Sequence, residues 1–201
     1  MNMRLQEILQ KMKALEQDLA EEIHRNEAAF LYKIHGSKVV FEEGTHALHA
    51  PFAMPVGAFL REASLFNILS APLIWFCLLP ILSLDIVISI YQAICFPIYG
   101  IPKVRRDHYI VMDRSRVNYL NIIEKINCAY CSYFNGVIAF IQEVAGRTEQ
   151  YWCPIKHARR ISSIHSRYVK FFEYGDAAGY REHMERLRRD FDDIEDSSAG
   201  Q

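Results

Sequence analysis

Four residues have the types and spacing of a metal site. Cys128 and Cys131 form a C-x2-C pair, Cys153 and His157 a C-x3-H pair, with 21 residues between the two pairs. Three thiolates and one imidazole complete a tetrahedral set for Zn²⁺, and such closed sites are structural. A helix would put Cys153 and His157 on one face, and likewise Cys128 and Cys131. Thiolates on one metal ion must lie within about 4 Å of one another. An unbroken helix over residues 132–151 would instead hold the pairs about 30 Å apart. A site on one ion therefore requires the chain to double back, and the breakers between the pairs are Asn135-Gly136 and Gly146.

The same thiols suit other chemistry. A C-x-x-C pair lowers one thiol pKa and permits a reversible disulfide. An iron–sulfur cluster could use these ligands. A covalent haem would need a histidine where Ser132 stands. Cysteines buried without ligands in a helical core are the further alternative. Cys77 and Cys95 are expected to be packing residues in an apolar stretch. His46 and His49 have a spacing that can serve a metal, but two histidines alone do not make a site. Arg147 and Glu149 could bind a polar head or position a proton, or close a helix end as a local ion pair. Lys156, Arg159 and Arg160 suit phosphate or acidic lipid. The chain has no Ser-His-Asp order, P-loop, dinucleotide-binding glycine pattern or H-E-x-x-H.

The elements that must position these residues are unevenly distributed. The chain has 201 residues, is 51% hydrophobic, and carries 23 Lys and Arg against 24 Asp and Glu, a net charge of −1. That balance excludes a disordered chain, and 9 Gly with 5 Cys exclude collagen-like and disulfide-scaffold classes. Residues 63–102 contain a single charge, Asp85. One straight helix over them would be about 60 Å long, twice a hydrocarbon core of about 30 Å. A break is expected over residues 80–85, where Ser83 can cap a new helix and Asp85 sits in its first turn. The arms are then 63–80 and 83–101, each about 27–28 Å. Positive residues flank both arms and none lies between them, which predicts a hairpin with both termini cytoplasmic. Pro72, Pro80 and Pro97 also suit a shallow re-entrant hairpin, and a hairpin buried in a soluble core is the third possibility. Residues 1–25 are charged and lack the apolar core of a secretory signal, so the cysteines are assigned to a reducing compartment.

Leu5, Ile8, Met12, Leu15, Leu19 and Ile23 predict an amphipathic or coiled-coil-like helix over residues 3–32, packing on the protein's own helices or mediating self-association or binding of a protein partner. A short β-prone segment follows at 37–42, then a loop at 44–57. Residues 109–112 are predicted as a strand, with helices at 114–127, 133–144, 154–174 and 177–194. The expected organisation is an amphipathic helix (1–35), loop and short strands (36–61), a membrane hairpin (62–102), a basic helical Cys/His domain (103–196) and a flexible tail (197–201). Residues 103–189 hold 16 Lys and Arg against 9 Asp and Glu, an excess of 7. That excess suits a bilayer with anionic headgroups. No nucleic-acid-reading module accompanies it, so nucleic acid is not an expected partner.

The stretch IEKINCAYCSYFNGVIAFIQEVAGRTEQYWCPIKHARR, with FPIYGIPKVRRDHYIVMDR before it, resembles an uncharacterised family of bacterial membrane proteins. The resemblance implies a bacterial membrane-associated protein and carries no activity onto these residues. The expected fold is mainly α, a membrane-embedded helical hairpin with an N-terminal amphipathic helix and a C-terminal helical cytoplasmic domain, at the bacterial inner membrane. The expected function is a membrane-associated metal-binding or interaction protein, with Cys128, Cys131, Cys153 and His157 on one structural Zn²⁺. Two alternatives stand beside it. One is a membrane thiol redox protein using Cys128 and Cys131. The other is an enzyme acting on a lipid-linked substrate through Arg147, Glu149 and His157.

Overall fold

The structure is a computed structural model that describes residues 3–30, 32–35, 38–41 and 44–194. Its elements in chain order are α1 (Met3–Ala29), β1 (Tyr32–His35), β2 (Lys38–Phe41), α2 (Thr45–His49), α3 (Val56–Glu62), α4 (Leu65–Phe76), α5 (Leu78–Tyr99), α6 (Ile122–Trp152) and α7 (Ala177–Leu187). The protein is mainly helical, as expected. The ends of the 37–42 segment and the tail at 197–201 lie outside the described residues. Two compact units are formed, one by Met1–Glu62 with Asp113–Cys128, the other by Ala63–Met112 with Ala129–Gln201.

In the first unit, β1 and β2 make an antiparallel pair in the register Tyr32↔Phe41 to His35↔Lys38. Its aromatic edge continues from Phe41 to the His49 ring and on to Tyr119, each step 5.6 Å between centroids. The leucines of the α1 stripe that are described, Leu15 and Leu19, are exposed. The loop predicted over 44–57 holds α2, a 3-10 turn at Ala50–Phe52 and the start of α3.

The predicted helix at 114–127 is corrected. Arg114–Arg116 is only a 3-10 turn, and α6 begins at Ile122. The cause is a capping box at Asn121. Its Oδ1 accepts from the amides of Ile123 (3.0 Å) and Glu124 (3.1 Å), and Glu124 Oε2 accepts from the Asn121 amide at 2.8 Å.

In the second unit the apolar block does not break where expected. Pro80 falls in the first turn of α5, where a missing amide costs nothing, so the helix runs through residues 80–85. The junction is at Cys77, whose backbone stays right-handed helical (φ −63°, ψ −15°). Leu65–Tyr99 thus forms one apolar helical run of 35 residues. A Schellman motif ends it. Gly100 turns left-handed (φ 68°), and the Ile101 amide reaches back to the Phe96 carbonyl at 2.9 Å. Ile101 is thereby folded onto Phe96, and both join Val104, Phe140, Val144 and Phe191 in the core.

The end of the predicted helix at 114–127, from Ile122 on, and the whole of that at 133–144 are parts of one 31-residue helix, α6. Gly136 and Gly146 do not break it. They are places of close approach: a Cβ at Gly136 would lie 2.7 Å from the Tyr109 carbonyl oxygen, and one at Gly146 2.5 Å from His165 Nδ1. The predicted helix at 154–174 is absent. Ile155 instead bridges Phe172, and only Ser166–Lys170 makes a 3-10 helix. The predicted strand at 109–112 is absent too, since Tyr109 closes a 3-10 turn. Asp176 caps α7 by accepting from the Gly179 amide at 2.9 Å.

Candidate functional site

The second unit carries a polar seam between α5, α6 and the segments beside them. On α5 the buried residues Ile81, Asp85, Gln92 and Phe96 share one stripe. Asp85 receives Arg106 in a fork, Nε to Oδ1 at 3.2 Å and Nη2 to Oδ2 at 2.5 Å. Tyr133 donates to Oδ2 at 2.7 Å and Ser89 to Oδ1 at 3.4 Å. Gln92 clasps the Val104 backbone, donating to its carbonyl at 3.2 Å and accepting its amide at 2.8 Å. Thr148 spends its hydroxyl proton on the Val144 carbonyl, so Tyr91 is the donor in the 3.1 Å Tyr91–Thr148 bond.

The buried face of α6 is charged. Arg147 Nε donates to Glu143 Oε1 at 2.8 Å, and its Nη1 donates to the Pro102 carbonyl at 2.8 Å. Ser166 donates to the other Glu143 oxygen at 2.7 Å. Burial pushes the Tyr109 phenol up, and the Glu143 carboxylate adds to the shift. Gln150 is wholly buried. It donates to the carbonyls of Leu187 and Asp190 at 2.9 and 2.8 Å, and accepts Arg167 Nε at 2.6 Å. Arg167 forks onto Asp193 at 2.6 and 3.0 Å, and Lys170 reaches the same carboxylate at 2.7 Å. Partial burial pushes the Asp193 carboxyl up, but the Arg167 and Lys170 cations outweigh it and bring it down to about 2.

These contacts use up the reactive capacity of the seam. Both oxygens of Asp85 and of Glu143 accept hydrogen bonds from neighbouring side chains, which leaves neither poised as a general base. His165 Nε2 pairs with Glu149 Oε2 at 3.0 Å, while its buried Nδ1 faces the glycine gap on α6. Apart from His165 Nδ1 and the Ser132 hydroxyl, which are buried without a partner, the seam is a set of paired polar contacts that favours one packing.

The four metal candidates are not assembled in one chain. Cys128 and Cys131 sit one turn apart on α6, and Cys153 follows that helix's last residue. Because α6 is unbroken, Cys131 and Cys153 are about 33 Å apart along it. Cys153 and His157 do not share a helix either, since Pro154 opens an extended segment. The exposed His157 ring stacks on Tyr168 at 6.3 Å. Among the described residues no group of three or more His, Cys, Asp and Glu could hold a metal ion. His49 is ringed by Phe41 and Tyr119, and the His46 side chain lies outside the described residues.

Arg147 pairs with Glu143, and Glu149 with His165, so the expected Arg147–Glu149 helix-end pair is replaced by two others. Lys156 bridges to Glu173, whereas Arg159 and Arg160 are exposed. Sequence reasoning missed Arg106, Tyr133, His165 and Arg167. For Arg106 a signal existed: it is among the first cations after an apolar block with one carboxylate.

The outer surface of this unit is the reverse of the seam. No residue of α4 is buried, and Phe66 is 80% and Leu73 71% exposed. On α5 the stripe opposite Asp85, with Leu79, Ile86, Ile90, Ile94 and Ile98, is exposed. The run Leu65–Tyr99 is long and apolar enough to cross a membrane, and only 11% of its most apolar window is buried. Comparison of the chain with protein-family models, with curated proteins and with solved structures found no match.

Proposed function

We propose that this is a membrane-associated interaction protein whose α4 and α5 bury their outer apolar surface in a lipid bilayer. The observation that supports this is the exposure of the Leu65–Tyr99 run. Contiguous apolar surface of that extent is uncommon on a soluble monomer and marks a lipid or protein contact. The cationic excess over residues 103–189 would complement anionic headgroups, and it supports reading the polar seam as facing the cytoplasm at a bacterial inner membrane. The interaction role is preferred to a single-chain zinc site because α6 keeps Cys128 and Cys131 apart from Cys153.

Membrane fractionation tests the proposal. The protein is expected to stay with the membrane through carbonate washing. A variant with Leu69, Leu73 and Phe76 changed to Ser is expected to move to the supernatant with its unfolding transition unchanged. Recovery of the unaltered protein as a detergent-free soluble monomer would overturn it.

A further inference from the structure

Resting on the interaction role proposed above, we infer that its partner is a second copy of this chain. Helix α1 of one copy lies antiparallel against α1 of the other as a two-helix coil.

Two observations carry this. First, the apolar stripe of α1 is bare. An amphipathic helix draws most of its stability from packing its apolar face. Yet Leu15 is 66%, Leu19 61% and Ile23 41% exposed. The helix has 27 residues and is about 40 Å long. Leu5, Ile8, Met12, Leu15 and Leu19 follow the 3-4 spacing of a coiled-coil seam. Glu22 and Asn26 stand at the next two seam positions and end its apolar part.

Second, the charges select the occupant. Residues 3–29 hold 4 Lys and Arg against 6 Asp and Glu. Helices that lie on anionic lipid are rich in Lys and Arg, so a bilayer does not match this one. A second copy does. Reversed against itself, the stripe pairs position 12 with 15 and position 8 with 19, and each contact occurs twice about the two-fold axis. Lys11 of one copy then flanks the seam beside Asp18 of the other, again twice, and both residues are exposed. The like-charge approach of Arg4 to Arg25 falls at the ends of the coil, where Arg25 already holds Glu22 at 3.4 Å. A parallel pair in register would set Glu22 against Glu22 inside the seam. The antiparallel pair sends the two to opposite ends.

Sedimentation equilibrium of the full chain in density-matched detergent, under reducing conditions, tests this. The full chain is expected to be a dimer at micromolar concentration. Leu15→Glu/Leu19→Glu is expected to be a monomer with its unfolding transition unchanged. Lys11→Glu and Asp18→Lys are each expected to weaken the dimer about tenfold, and the two together to restore it. A parallel pair sets position 11 opposite position 16, so there the second change restores nothing. A double variant no tighter than the single ones would therefore overturn the inference. A monomeric full chain that withstands carbonate washing would overturn it and leave the membrane reading intact. A dimer that survives Leu15→Glu/Leu19→Glu would place the contact elsewhere and overturn it as well. So would an unchanged mass for that variant with lost binding to phosphatidylethanolamine/phosphatidylglycerol vesicles, which would assign the stripe to lipid.

Discussion

Helices α5 and α6 pack side by side and reverse the usual relation between composition and burial. In its 22 residues α5 has one charge, yet one side of it is bare. Helix α6 carries Glu143, Arg147 and Gln150 in its interior face, and all three are buried. The difference lies in what each side chain finds as a partner. Each of these three has donors or acceptors on the neighbouring segments, so its desolvation is offset. The outer isoleucines of α5 find no protein, and apolar surface without protein is buried only by lipid or by another chain.

That contrast is open to breaking, and the largest effects are expected on α6. Arg147→Met leaves the Glu143 carboxylate buried beside Ser166 alone, and removing one partner of a buried pair costs about 3–5 kcal/mol. Denaturant unfolding checks it, and a loss below about 1 kcal/mol would show that water reaches the pair. Phe140→Ala removes a fully buried ring from the core, with a loss of about 3–5 kcal/mol by the same assay.

Gly146→Ala is the next largest. The added methyl meets His165, so overpacking costs about 1–3 kcal/mol. An unchanged midpoint would mean that His165 can leave its place on α6.

Acid stability sharpens the account of the seam's far end. The folded carboxyl of Asp193 titrates at about 2, below the ordinary 3.8. Its contribution is therefore complete above about pH 5 and is lost as pH falls through 3.8 toward 2. The destabilisation of Asp193→Asn should accordingly be visible at pH 6 and mostly lost by pH 2. Because half of the Asp193 side chain is exposed, salt should weaken the effect.

The smallest effect on folding is expected on the bare side of α5. Ile90→Ser should leave the unfolding midpoint within about 0.5 kcal/mol of the original. The same change should lower partition into vesicles several-fold, as removing about 1–2 kcal/mol of apolar transfer requires. A large loss of stability instead would place Ile90 against protein and erase the contrast.

Local signals in the chain were legible where a short segment decides its own structure. The α1 periodicity, the α7 helix and the apolar block could all be read from neighbours three or four residues apart. Reading failed where glycine and proline were taken as punctuation. Gly136 and Gly146 sit inside α6 because other segments approach there, and Pro80 is harmless in a first turn. The apolar spacing over 154–174 looked helical, but Arg167, Lys170 and His165 are held by Asp193 and Glu149, and those pairings keep the segment irregular. The Cys3His reading required a fold-back that the unbroken α6 does not make.

The amino-acid order by itself determined a mainly helical chain with one long apolar run, because helix formation and hydropathy are set by residues within a few turns. Only the tertiary structure decided that Asp85 is paired with Arg106 and hydrogen-bonded by Tyr133, that charged residues fill the inside of α6, and that isoleucines line the outside of α5. The partners of those groups lie up to 48 residues away in sequence, and no local pattern reports them. Burial is a property of such distant contacts, so which face of a helix meets protein and which is left bare is settled in three dimensions.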